Sequence, residues 1–181
     1  MNLPRRSLIV AALAILVLIA FATHRYLNAL DPHAREVQAI QGRMLELAET
    51  LCFADSESAL GRLGYPERLV GYFADPVELD ITIGARHRSG SMSRGHLREG
   101  LAGMRASNRG LKVKFLDVVV DLPPASPDAP EPARTAKVHL TSTIYFAGDP
   151  DYWVQEFRAQ MVKTNSTWLV RRVETVETMV K

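Results

Sequence analysis

Apolar residues in this chain follow three successive rhythms, and each rhythm specifies a different kind of element. From Ser7 to Ala22 they run without interruption behind the basic flank Met1–Arg6. At about 1.5 Å rise per residue, such a run is at the short edge of what a ~30 Å hydrocarbon core requires, and Tyr26 and Leu27 extend it past His24 and Arg25. A basic flank followed by a stretch with no polar face predicts one membrane-inserting helix within residues 1–29. Ala20-Phe21-Ala22 also satisfies the small-x-small rule for signal cleavage, so a retained anchor and a removed signal both stay open. Arg5 and Arg6 hold their side cytoplasmic and send the remainder outward. The expectation is a single-pass protein of a bacterial inner membrane with its C-terminal domain extracytoplasmic, or a periplasmic one if cut after Ala22.

A period near 3.6 residues follows. Asp31-Pro32 reads as a helix cap with proline at the first helical position, where the missing amide hydrogen costs nothing. Val37, Ile40, Met44, Leu47, Ala48 and Leu51 then share one face, with Arg35, Glu36, Arg43, Glu46 and Glu49 placed mostly elsewhere, which predicts a long amphipathic helix. Ser56 opens a shorter helix that Gly64 is expected to end, and Pro66 opens another helical turn carrying Leu69, Val70, Tyr72 and Phe73. Three helical pieces are therefore expected before the first strand.

The third rhythm alternates. Val77, Leu79, Ile81 and Ile83 interleave with Glu78, Asp80 and Thr82, the period of a half-buried strand, and Arg86 to Met92 returns as its partner. Ser93 caps a helix bearing Leu97, Leu101 and Met104, although Gly95, Gly100 and Gly103 each weaken it by about 1 kcal/mol relative to alanine. Leu111 to Leu122, Arg134 to Phe146, Tyr152 to Thr164 and Thr167 to Thr178 are then rich in β-branched and aromatic residues. The short turns Ala147-Gly148-Asp149-Pro150 and Asn165-Ser166 make the later ones sequential antiparallel neighbours. Pro123 to Pro132, poor in ladder donors and apolar bulk, reads as a long hairpin loop, a tolerated insertion ahead of a binding role for its extended polyproline character. Residues 30–181 form one globular domain, since about 150 residues support a single core.

Composition narrows the chemistry. With 47% hydrophobic and 23% charged residues and a formal charge of +2, nothing in the whole-chain balance draws the protein to nucleic acid. Cys52 is the only cysteine, so an intramolecular disulfide and a cysteine-built zinc site are both absent from the expectation, and no cofactor motif is present. Cys52 extends the apolar side of the long helix and reads as a small buried hydrophobe.

Candidate site residues are few. Tyr72, Trp153 and Trp168 are aromatic enough to line a pocket or fill a core. Trp168, Val170, Arg172, Glu174 and Val176 share parity on the last strand, so Arg172 and Glu174 would form a polar handle on the inner face, with Val173 on the opposite parity leaving that register open. His139 alternates with the apolar row Ala136, Val138, Leu140, Ser142 and Ile144 and falls on the other face with Lys137 and Thr141. Arg86, Arg88, Arg94, Arg98, Arg105, Arg109, Lys112 and Lys114 lie in one stretch with His87 and His96, opposed only by Glu99, and are expected to present a basic surface to anionic lipid, an acidic partner or an anionic polymer.

Tyr72-Phe73-Ala74-Asp75 entering the first strand, Gly90 to Gly95 before the next helix, and the final strand Trp168 to Thr175 resemble the nuclear transport factor 2-like superfamily, also called SnoaL-like or ketosteroid-isomerase-like, over roughly Ala34 to the end. The resemblance implies an α+β cone: a strongly curved, mixed or antiparallel sheet wrapped round the long helix, often enclosing a pocket and commonly dimerising through the open sheet face. In the steroid isomerases of this superfamily an aspartate base sits late in the first strand. The matching position here is Ile81, and Asp80, one residue away, would face the other side. The resemblance therefore leaves the isomerase base missing.

Two functions follow from different classes. One is a membrane-tethered, non-catalytic module that binds a protein or small ligand, similar in layout to the bitopic assembly components of type IV secretion systems. The other is a pocket enzyme, an isomerase, dehydratase or hydrolase acting on a small apolar substrate, which requires a carboxylate or histidine desolvated inside the cone. A filled cone with an exposed sheet favours the first, and an enclosed cavity with an inward acid or base favours the second.

Overall fold

The computed structural model describes residues 15–19, 32–83, 86–123 and 135–176. The basic flank, most of the predicted membrane segment and residues 124–134 of the proline-rich loop lie outside the described residues. The chain divides into two units after Glu36. In the first, residues 15–19 are helical, and Ile15 to Ile19 are all exposed. Among the described residues no helix is long and apolar enough to cross a membrane.

Helix α1 spans Pro32–Leu51 and buries Ile40, Met44, Leu47 and Ala48, the face predicted from its periodicity. Helix α2 spans Ala59–Val70, capped by the Ser58 hydroxyl, which accepts from the Gly61 amide. It passes through Gly64 and Pro66, so a single helix stands where two pieces were expected. Proline costs an interior helix about 3 kcal/mol, but Tyr65, Pro66, Leu69 and Val70 are all buried here, and that burial outweighs the lost amide bond. Helix α3 spans Arg94–Ser107 behind the predicted Ser93 cap, whose hydroxyl accepts from His96 N.

Six strands form one sheet: β1 (Phe73–Ile83), β2 (Arg86–Met92), β3 (Leu111–Asp121), β4 (Thr135–Phe146), β5 (Tyr152–Thr164) and β6 (Thr167–Thr175), in the order β2-β1-β6-β5-β4-β3. The meander from β3 to β6 is antiparallel throughout, as the turn signals predicted. Asn165 and Ser166 both take positive φ, the backbone of a tight two-residue hairpin turn. The β1–β2 hairpin joins this meander through β1, which runs parallel to β6.

Three register shifts interrupt the ladders. On β3 the shift lies between Leu116 and Val119, where Asp117 adopts φ 51°. On β6 Val170 pairs with Met161 and Arg172 with Gln160, leaving Arg171 as the extra residue of a bulge.

The inner face of the sheet packs on the helices through one cluster that joins Ile40, Met44, Leu47, Tyr65 and Leu69 to Val138, Leu140, Phe157, Ala159, Met161, Trp168 and Val170. Burial pushes the ionisation of Tyr65 well above the ordinary phenol range, so it stays neutral and donates to the Leu51 carbonyl at 3.0 Å. Gly110 is fixed by close approach: a Cβ there would stand 3.1 Å from that of Ala147 and 3.3 Å from the Phe53 carbonyl oxygen. Met161 is fully buried at the centre of this cluster. Met161→Ala is expected to lower unfolding stability by about 2–5 kcal/mol, read as a reduced urea midpoint with an unchanged slope.

Candidate functional site

Cross-strand register sorts the charged side chains onto the outer face of the sheet. One rung runs Val119, His139, Arg158, Glu174, Asp80, Ser89 across all six strands, and the next runs Asp121, Lys137, Gln160, Arg172, Glu78, Ser91. Arg172 lies 3.1 Å from Glu78 and 3.3 Å from Glu174, and Arg158 lies 3.6 Å from Glu174. At the hairpin end of the rung, His87 Nε2 stands 3.8 Å from Asp80 Oδ1 while its Nδ1 is 3.0 Å from the Thr82 hydroxyl.

Arg172 and Glu174 therefore do not share the inner face with Trp168 and Val170. The Arg171 bulge reverses the alternation between Val170 and Arg172, so that Val173, opposite Ala159, packs against the core. His139 and Asp80 stand on the outer face, as their alternation predicted, and Ile81 packs against the core. Tyr72 is fully engaged: its hydroxyl is 3.0 Å from that of Thr50, and the Arg43 guanidinium lies 3.9 Å from the ring centroid. Trp153 is half-buried against Phe146, with ring centroids 5.9 Å apart. The five expected pocket residues, Tyr72, Asp80, Trp153, Arg172 and Glu174, are thus spread over two faces of the sheet.

Beneath the meander the core cluster packs α1 and α2 against β4, β5 and β6. Ser142 is buried on the apolar row of β4 with no hydrogen-bond partner for its hydroxyl among the described residues. Cys52, expected as a small buried hydrophobe, is only half-buried and has a local bonding role, its thiol donating to the Ala48 carbonyl and accepting from the Val113 amide. Among the described residues a cleft of about 420 Å³ lies between β2 and α3, and a smaller one of about 110 Å³ lies beside His139, Thr141 and Glu156. None of the five expected residues lines either. Among the described residues no cluster of histidine, cysteine or carboxylate side chains is arranged to hold a metal.

No family model and no curated protein matches the chain. Solved structures do. A protein from Novosphingobium aromaticivorans provisionally named a scytalone dehydratase superposes with a TM-score of 0.57 at 16% identity, covering 81% of this chain and 87% of its own. A provisionally named calcium/calmodulin-dependent protein kinase II association domain from Xanthomonas campestris gives 0.54 at 16% identity, covering 83% and 91%. A provisionally named dehydratase of the nuclear transport factor 2-like family from Streptomyces avermitilis gives 0.53 at 18%, covering 83% and 100%. The fold is nuclear transport factor 2-like.

Within this nuclear transport factor 2-like sheet the basic stretch does not form one surface. β2, with Arg88, and β3, with Lys112 and Lys114, are opposite edges, and the side chain of Arg86 lies outside the described residues. Arg94 and Arg109 are exposed, and Arg98 is exposed but paired with Glu67 of α2. Arg105 is only 7% exposed. It donates to the Ala54 carbonyl at 3.0 Å, approaches Glu57 to 3.5 Å and lies 4.3 Å over the Phe53 ring, clamping the end of α3 onto the loop after α1. Its long apolar stem and these partners explain the burial that a count of arginines conceals. Arg105→Glu is expected to cost about 3–5 kcal/mol of stability in denaturant melts by leaving like charges at a buried pair, whereas Arg94→Glu stays within about 0.5 kcal/mol of the parent.

Proposed function

We propose that this domain is a membrane-tethered, non-catalytic interaction module whose outer sheet face docks on a second copy of the chain. The observation that carries the reading is the contrast between the two faces of the meander. The inner face packs on the core, while the outer face exposes large apolar side chains: Tyr152 at 67%, Val154 at 58% and Val119 at 60%, with Tyr145 and Leu116 beside them. Tyr145 and Tyr152 pair directly, Val154 follows one rung on opposite Thr143, and Leu116 and Thr141 with Glu156 complete the next. Large apolar side chains exposed in this number on one sheet face, here interspersed with Thr141, Thr143 and Glu156, favour an interaction surface.

Charge supports a like partner. Lys112 and Lys114 flank the patch on β3, and Glu156 flanks it on β5, so a two-fold arrangement brings the lysines of one copy toward the glutamate of the other. The enzyme reading has no enclosed acid or base among its expected residues: Asp80, His139 and Arg172 are exposed on the outer face, and Glu174 is half-buried there between Arg158 and Arg172. Tethering is supported by the basic Met1–Arg6 flank, the apolar run after it and the exposed apolar helix at residues 15–19, and an extracytoplasmic domain follows from that flank's charge.

Native mass spectrometry of the full chain extracted in mild detergent tests this reading. The parent is expected to be dimeric, and Tyr152→Asp with Val154→Asp monomeric and still folded, since each replacement costs a buried interface about 2 kcal/mol or more. A monomeric parent, or a dimer indifferent to both replacements, would overturn it.

A further inference from the structure

The cleft between β2 and α3 is separate from the outer face and is built differently. Its floor is apolar, formed by half-buried Leu79 of β1 and Met92 of β2, and its walls carry Arg88, His96 and Glu99. Arg88 shares the inner-facing parity of β2 with Met92, because Ile81 pairs with Arg88 and Val77 with Met92. Among the described residues the side chains of Arg88, His96 and Glu99 form no hydrogen bond or ion pair. A guanidinium and a carboxylate thus face one opening without closing on each other.

Gly100 forms the helix side of the opening. A Cβ at this position would meet Met92 Cε at 3.9 Å and Arg88 Nη1 at 4.0 Å, ordinary contact distances with no clash. Packing therefore does not demand glycine here, although glycine in a helix interior is unfavourable. His96 is one turn earlier on the same helix face. What glycine supplies is space: any larger side chain at residue 100 would project into the cleft between Arg88 and Met92. Gly95 and Gly103 of the same helix are equally free of packing demands, and what distinguishes Gly100 is that it alone of the three lines the cleft.

We infer that this cleft binds a small zwitterion with an apolar body, of the size of a free apolar amino acid. The carboxylate engages Arg88, whose planar fork favours a two-oxygen contact, and the ammonium engages Glu99. The apolar body covers Leu79 and Met92. A simple anion would meet Glu99 and a simple cation would meet Arg88, so only a molecule carrying both charges satisfies both walls. At about 420 Å³ the cleft accommodates such a ligand.

Saturation-transfer NMR on the full chain in detergent, with L-leucine as the probe, provides the test. Its deaminated analogue 4-methylpentanoate and its decarboxylated analogue 3-methylbutylamine serve as comparisons. Leucine is expected to bind and each analogue to bind at least about ten-fold more weakly, the loss from one charged hydrogen-bonding partner. Arg88→Gln and Glu99→Gln are each expected to weaken leucine by a similar factor, and Gly100→Leu to abolish binding with the melting temperature unchanged or raised, since leucine suits a helix interior better than glycine. Failure of leucine to bind the parent, equal binding of either analogue, or undiminished binding by Arg88→Gln or Gly100→Leu would each overturn the assignment.

Discussion

Arg171 has no partner on β5, and the division of labour between the two faces of the sheet turns on that one unpaired residue. Before it, Trp168 and Val170 point into the core. After it, Val173 takes their place, and Arg172 and Glu174 stand with Glu78 and Arg158 on the outer face. A regular ladder would have carried Arg172 and Glu174 inward beneath the helices. Two ionised groups desolvated there would cost several kcal/mol each, so the bulge is what makes a charged final strand compatible with an apolar interior.

The interior in turn depends on how the helices are held to it. α1 contributes a continuous apolar face, but α3 buries only Leu97 and Arg105. Its glycines make it a weak helix, and Arg105 fastens its end through the Ala54 carbonyl, Glu57 and the Phe53 ring. The same Phe53 forms an isolated bridge to Leu111 and stacks edge-on against Tyr65, so one aromatic ring links α3, α2 and the start of β3. Weakness along α3 and firmness at its end leave its first two turns as the part of the helix beside an open cleft.

Most of the architecture was legible in the sequence because periodicity reports the face a residue occupies. The Pro32 start, the Ser93 cap, the alternation of Val77 to Ile83 and the Asn165-Ser166 turn each encode local geometry, and each stands where the pattern placed it. The failures share a different cause. Gly64 and Pro66 signal a break that tertiary burial overrides, and Arg105 carries a charge that its surroundings absorb. Arg171 shifts register in a way that only the opposite strand reveals. The parallel pairing of β1 with β6 likewise has no local signature, since the two strands lie at opposite ends of the domain sequence. The β2–α3 cleft had no signal in the sequence, where Gly100 stood with Gly95 and Gly103 as a weak point of the helix and Glu99 only as the acid opposing a basic stretch.

That parallel pairing orders events in time. Arg172 meets Glu78 across 94 residues of chain, and β1 has no other neighbour than β2 until β6 arrives. During synthesis the β1–β2 hairpin therefore emerges long before the strand that receives it. The meander can grow by adding each strand to the one before, but the sheet becomes a single body only when its last strand has left the ribosome. The β1 edge therefore stays unpaired while about half of the chain, from the end of β1 to β6, is still being made. Glu78 and Asp80, charged side chains of the kind that discourage edge-to-edge pairing, lie on that strand.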